Sequence, residues 1–256
     1  WRMAYCAVLT LHDAEGEPLH SIRYGRMPVG GSAELEESLR GDLTALLEKK
    51  PGMRVAALSD GADEMKAILN RVTADLDVTV HHVLDFWHLV EKVSEAITAL
   101  GMETKRHLEL VRGTLATQAG GAEKVARMLR GWSAERGDKD PEAVENALRY
   151  IKRNQGRMQY DELREARLPI GSGQVEATCK TLVSTRMKRS GARWSETGGQ
   201  AILGLRSLAR SSRWDGGMSR LLPTYRVPAR PTVRPSARGT RSMSDPHPPP
   251  PRISCS

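Results

Sequence analysis

Apolar and polar positions divide the chain into segments of two different periods. Residues 3–11 (MAYCAVLTL) are apolar on both alternating faces, the pattern of a strand buried on two sides. Asp13 and Gly16 supply a turn, and residues 19–24 read as the returning strand of a hairpin. Ser32 then precedes a helix in which Leu35, Leu39, Leu43, Leu46 and Leu47 form one apolar stripe, broken by Pro51-Gly52. Residues 54–59 (RVAALS) predict a short central strand that ends on Asp60-Gly61. A helix over 62–72, a strand over 78–83 and a helix opened by Asp85 and carried by Val90, Val93 and Ile97 complete this part. Alternating strands and helices predict an α/β fold, a mixed sheet with helices on both faces. Ligands of such sheets sit beyond the carboxyl ends of the strands, where Asp60 stands.

The strand signal then stops. Leu108, Val111 and Leu115 mark one helix, and Val125, Met128 and Leu129 mark another. A third helix opens at Asp140-Pro141, an N-cap followed by proline at the first helical position, and runs through Val144, Leu148 and Ile151. These helices predict an all-helical insertion over 101–164, between a first part (1–100) and a second part (165–215) of the main unit. The second part holds a basic helix from Gln174 to about Lys188 and another from Glu196 to Arg210. Residues 216–256 read as a disordered tail, rich in Pro, Arg and Ser beyond Leu222, that buries too little apolar surface to offset its ordering entropy. The abrupt change in composition fits either a native extension or a frameshifted end.

Composition narrows the function classes. A chain that is 39% hydrophobic and 27% charged is globular. No apolar run reaches the roughly 20 residues of a membrane helix, and Trp1-Arg2-Met3 does not open a secretory signal. The lack of Met at position 1 suggests a start inside a longer reading frame. Cys6, Cys179 and Cys255 are scattered without Cys-x-x-Cys spacing, which argues against a disulfide framework or cysteine zinc site and for the cytosol. The net charge of +8 is concentrated after Lys152, where Arg153, Arg157, Arg164 and Arg167 lead into a denser basic run. Such a surface attracts phosphate backbones by counterion release, though a soluble basic protein without a nucleic-acid partner also fits.

Several residues carry candidate chemistry, each with a plainer reading beside it. Asp60 follows an apolar strand, and Gly61 turns the backbone away; the residue suits metal binding or a helix N-cap. Glu176 lies in the first turn of the helix after Gly171-Ser172-Gly173, as a metal ligand or as an acid favoured by the helix dipole. The Gly-Ser-Gly turn is a phosphate cradle or an ordinary capping turn, and lacks the spacing and Lys of a P-loop. Asp85 and His88 share a helix face at i, i+3, near a metal site or, for His88, packed in the core. His81-His82 point to opposite faces of a strand and make no metal pair. Lys180, Arg186, Lys188, Arg189 and Arg193 with Trp194 are candidates for DNA contact. Lys180 could instead pair with Glu176 at i, i+4, and Trp194 could anchor the core.

The run LPIGSGQVEATCKTLVSTRMKRSGARW (168–194) with the following GGQAILGLRSL resembles the C-terminal signature of ISKra-type insertion-sequence transposases. LSDGA around Asp60 and LDFWH (84–88) are similar to that family's other landmarks, in the same order. The resemblance covers most of residues 1–214 and implies a DDE-type enzyme with an RNase H-like core, residues 1–100 and 165–215 forming its two parts. It implies that Asp60 and Glu176 are the second and third catalytic carboxylates, ligands of Mg²⁺ or Mn²⁺ in a two-metal site. It further implies cleavage and transfer of double-stranded DNA, at element ends and target, by a homo-oligomer in the bacterial cytoplasm and nucleoid. In this family the first catalytic Asp lies on a strand preceding the one read at residues 3–11. That residue is expected upstream of Trp1, Asp13 and Glu15 being poor substitutes in a hairpin turn. The chain is thus expected to be an incomplete, inactive fragment; the alternatives are a non-catalytic DNA-binding remnant and an RNase H-like nuclease.

Overall fold

A computed structural model describes residues 4–136 and 142–224. The elements follow the two periods of the sequence. A hairpin of β1 (Tyr5–His12) and β2 (Pro18–Arg26) leads into α1 (Gly31–Lys49), β3 (Val55–Ser59), α2 (Asp63–Thr73), β4 (Val80–Leu84) and α3 (Phe86–Ala99). Four helices follow, α4 (Thr104–Thr117), α5 (Gly121–Arg136), α6 (Glu142–Arg153) and α7 (Tyr160–Glu165). The predicted Asp140-Pro141 cap lies outside the described residues. The fold is mixed α/β, and no described helix is long and apolar enough to cross a membrane.

The strands do not form the single mixed sheet that their alternation predicts. β1 pairs antiparallel with β2, β3 pairs parallel with β4, and among the described residues no ladder joins the two pairs. The pattern of alternation reports that each strand is covered, not which strand is its neighbour. The short β3 shows this well. Val55 packs into a core with Ala7, Ile22, Tyr24, Leu35, Leu39, Ile68 and Val72, whereas Ala56 and Leu58 pack against a second core. That second core runs from Val83 and Leu84 through α3 to Val111, Leu115, Val125, Leu129, Val144, Ile151 and Tyr160. The helices of 104–165 therefore bury their apolar stripes against α3 and β4, at a gain of roughly 25 cal/mol per Å² of apolar surface.

The chain after Gly171 returns to the hairpin. The helix predicted from Gln174 is a continuous helical run in three parts: α8 (Gly173–Thr178), a π-turn (Cys179–Ser184) and α9 (Thr185–Met187). α10 spans Glu196–Arg210, as its pattern predicts. The tail expected from residue 216 is helical at first, within α11 (Trp214–Leu221) and a 3₁₀ turn to Thr224; residues beyond that lie outside the described range. Leu182 and Leu203 are fully buried with Met27 between the π-turn, α10 and the hairpin.

α10 also solves the edge problem of β2. An edge strand exposes alternate N–H groups to any pairing partner. Here Arg23 N–H donates to Ser211 Oγ (2.8 Å), Gly25 N–H to Ser207 Oγ (3.1 Å), Met27 N–H to Gln200 Oε1 (2.8 Å) and Val29 N–H to Glu196 Oε1 (2.9 Å). A polar stripe along α10 and its C-cap thus meets donors of period two along β2 and the segment just after it. Beyond α10, Arg213 grips Asp42 of α1 with two hydrogen bonds of 2.7 and 2.8 Å, and Tyr24 Oη donates to the same carboxylate at 2.6 Å. The ion pair is partly exposed, so replacing Arg213 with Ala should cost about 1 kcal/mol of unfolding free energy in chemical denaturation. An unchanged midpoint would show that this clasp does not hold the C-terminal helices to α1.

Candidate functional site

The carboxyl ends of β3 and β4 meet at a buried junction built around Asp85. This residue is 1% exposed and is the N-cap of α3: Oδ1 accepts from Trp87 N–H (2.7 Å) and His88 N–H (3.0 Å). Its other oxygen accepts from Ser172 N–H at 2.6 Å, and its own N–H donates to Ser59 O at 2.9 Å. Phe86 N–H donates to Ile170 O at 2.9 Å. The Asp85 side chain thereby ties the start of α3 to the loop before α8, and its backbone N–H ties both to the end of β3. Asp85 is buried structure; its carboxylate is already occupied by three backbone donors, which leaves it poorly placed as the auxiliary ligand of a metal.

Asp60 follows Ser59 directly and is exposed. Its Oδ1 accepts from Ala62 N–H (3.0 Å), the local capping bond that a helix start invites, and its other carboxylate oxygen makes no hydrogen bond within the described residues. Tyr150 Oη donates to the Asp60 carbonyl at 2.6 Å. Gly61 has φ +86°, and a Cβ there would lie 3.0 Å from Leu84 and 3.2 Å from both Asn154 and Tyr150 Oη. Glycine is therefore required twice over, by conformation and by space.

Arg157 lies beneath the same junction, 6% exposed, although its sequence context placed it among surface bases. It donates to Ser59 Oγ (2.8 Å), Val83 O (3.2 Å) and Asn154 Oδ1 (3.2 Å). Burial alone depresses its affinity for a proton, and Tyr150, Tyr160 and Asp60 counter this. Tyr160, fully buried, donates to Leu84 O at 3.0 Å and meets the Phe86 ring edge-on. No local signal distinguished Arg157 and Tyr160 from the other residues of a helical stretch.

Glu176 lies one turn after Ser172, exposed, on the rim of an open groove of about 790 Å³. Trp87, His88, Glu91, Glu95 and Arg112 line the same groove. His88 is not a core residue: its side chain is 37% exposed and Nδ1 lies 3.4 Å from Glu91 Oε2. Trp87 is exposed beneath the Arg112 guanidinium, 5.4 Å from the ring centroid, and its edge fills the space at Gly171, where a Cβ would come within 2.9 Å of it. The phosphate-cradle reading of Gly-Ser-Gly loses support because the Ser172 amide is already bound to Asp85.

Two carboxylates, Asp60 and Glu176, thus emerge from one junction with exposed side chains. Among the described residues no group of three or more His, Cys, Asp or Glu gathers to hold a metal ion. His81 and His82 do not converge on one either; His82 is held below the usual imidazole range by burial first, with Arg157 and Lys66 adding to it.

The basic candidates cluster around the π-turn. Opening a helix to π geometry frees carbonyl groups, and Arg206 of α10 takes those of Thr181 and Leu182, the latter at 3.0 Å. Burial lowers the Arg206 pKa first, and repulsion from Arg210, Arg186 and Arg189 lowers it further, so these four cations share one patch. Lys180, Lys188 and Arg193 are exposed. Trp194 is half-buried under Arg186, 5.3 Å from the ring centroid, with Nε1 buried and unpartnered. One face of its ring is thus taken by Arg186. No family model, curated protein or solved structure matches the chain.

Two measurements check this junction. Asp85→Ala should destabilise the protein by about 2–4 kcal/mol, since three buried N–H groups lose their acceptor; a cost below about 1 kcal/mol would mean that water replaces it. The Tyr150 hydroxyl, its pKa pushed up to about 12 by burial and then by Asp60 and Asp85, stays protonated in the fold after an unfolded tyrosine at 10.0 has ionised. Its contribution is present below pH 10 and is lost as pH rises through about 12, so Tyr150→Phe should flatten the fall in stability across that window. Parallel slopes for both proteins would refute the assignment.

Proposed function

We propose that this chain is the larger part of a DDE-type insertion-sequence transposase with an RNase H-like core, a metal-dependent enzyme that cleaves and joins double-stranded DNA. Asp60 and Glu176 are its two catalytic carboxylates within the chain. One observation supports the reading most. Ser59, Asp85 and Ser172 are hydrogen-bonded into a single junction, and the two exposed carboxylates follow from it, Asp60 immediately and Glu176 one helical turn later. An antiparallel hairpin followed by a parallel pair with helices between is compatible with such a core. The shared patch of Arg186, Arg189, Arg206 and Arg210 suits a phosphate backbone.

A second reading is favoured by the lack of a three-ligand group among the described residues: a remnant that holds DNA and does not cut it. Strand-transfer assays on the complete protein with Mg²⁺ or Mn²⁺ separate the two. Asp60→Ala and Glu176→Ala should each lower joining by more than about a hundredfold, the scale already seen for outer-shell residues of metal sites. Retained joining in either variant refutes that residue's role. Cutting without joining would point to a nuclease, and salt-sensitive DNA binding with neither activity to the remnant.

A further inference from the structure

Cys6 and Cys179 are 173 residues apart (179 − 6), which hides any relation between them in the sequence. Cys6 of β1 stands directly opposite Gly25 of β2, so the two share a face of the hairpin. At Gly25 the missing side chain makes room for Leu182 and Leu203; a Cβ there would lie 3.4 Å from Leu182 Cδ1. Cys179 precedes Leu182 by about one turn of the same helical run. The packing that seats Leu182 over Gly25 also brings Cys179, on the same helical run, to the face of β1 that carries Cys6, and the neighbouring Cys179 sulfur, with burial, holds the Cys6 thiol above its usual range. Both thiols are free and half-buried.

We infer that Cys6 and Cys179 are a reversible disulfide site, closed by a peroxide and reopened by a dithiol. Two thiols brought near each other by packing need no chain closure to meet, which removes the main entropic cost of pairing distant cysteines. The chemistry balances with hydrogen peroxide as oxidant. One sulfur attacks the O–O bond, becomes a sulfenic acid and releases one water. The second sulfur attacks that sulfenic sulfur; the S–S bond forms, the S–O bond breaks, and the second water leaves with the remaining thiol proton. Two thiols lose two electrons and the peroxide gains them. A thiolate from a dithiol such as dithiothreitol reverses the bond by exchange.

The bond would join β1 covalently to the π-turn, one turn beyond Glu176. That consequence for the carboxylate rests on the transposase reading; the disulfide itself does not.

The test is peptide mass mapping of the full chain after hydrogen peroxide treatment and alkylation of the remaining thiols. A Cys6–Cys179 cross-link lighter by two hydrogens should dominate over any pairing with Cys255 and vanish with dithiothreitol. The unfolding midpoint of the oxidised protein should rise by roughly 5 °C, and Cys179→Ser should abolish the rise. Alkylation of both thiols after peroxide would overturn the proposal. So would the same mixture of pairings from the native chain as from the chain unfolded in urea. The mass map needs neither DNA nor a folded variant, so its failure is separate from failure of the transposase reading.

Discussion

The buried carboxylate of Asp85 is the constraint on which the candidate site depends. A carboxylate that is 1% exposed must be compensated, and this one is, by three backbone N–H groups from two segments of chain. Because two donors belong to the first turn of α3 and the third to Ser172, satisfying one charge fixes the approach of α8 to the strand ends. Arg157 works from below in the same way. Its guanidinium gathers Ser59, Val83 and Asn154, and its carbonyl accepts from Leu84 N–H at 2.8 Å. Buried charges cost too much to leave unpaired, so both groups hold the local geometry to a narrow range.

The same reasoning of donors seeking acceptors governs the other side of the molecule. The outer edge of β2 and the segment just after it form a row of N–H groups covered by Ser207, Gln200 and Glu196 of α10 and by Ser211 at its C-cap. Leu203, on the same helix, is buried against Gly25 and Leu182. The helix thus seals an edge and a core together. The π-turn opposite it gives up carbonyls to Arg206, and the bases that follow are left facing one another and solvent. A charge-rich surface of this kind is maintained by packing beneath it, since like charges alone would disperse.

Much of the element order was legible because it is local. Leu35, Leu39 and Leu43 repeat at helical spacing and are all buried; Asp85 reads as a helix start and caps one; α10 begins and ends where its pattern does. Asp60 and Glu176 were legible as candidates because a strand end and a helix start can be read from neighbouring residues. Other features were not legible, for one physical reason. The split of the strands into two pairs, the burial of Arg157 and the setting of Trp87 all depend on partners tens of positions away.

Asp60 and Glu176 mark the boundary between the two kinds of knowledge. Their sequence settings determined local conformation: an acid after an apolar strand with a positive-φ glycine behind it, and an acid in a first helical turn. Only the tertiary structure decided that both leave one junction, because that follows from how Asp85 bonds the end of β3 through its N–H and Ser172 through its buried carboxylate. Periodicity records which residues avoid water; it carries no record of which distant groups they meet.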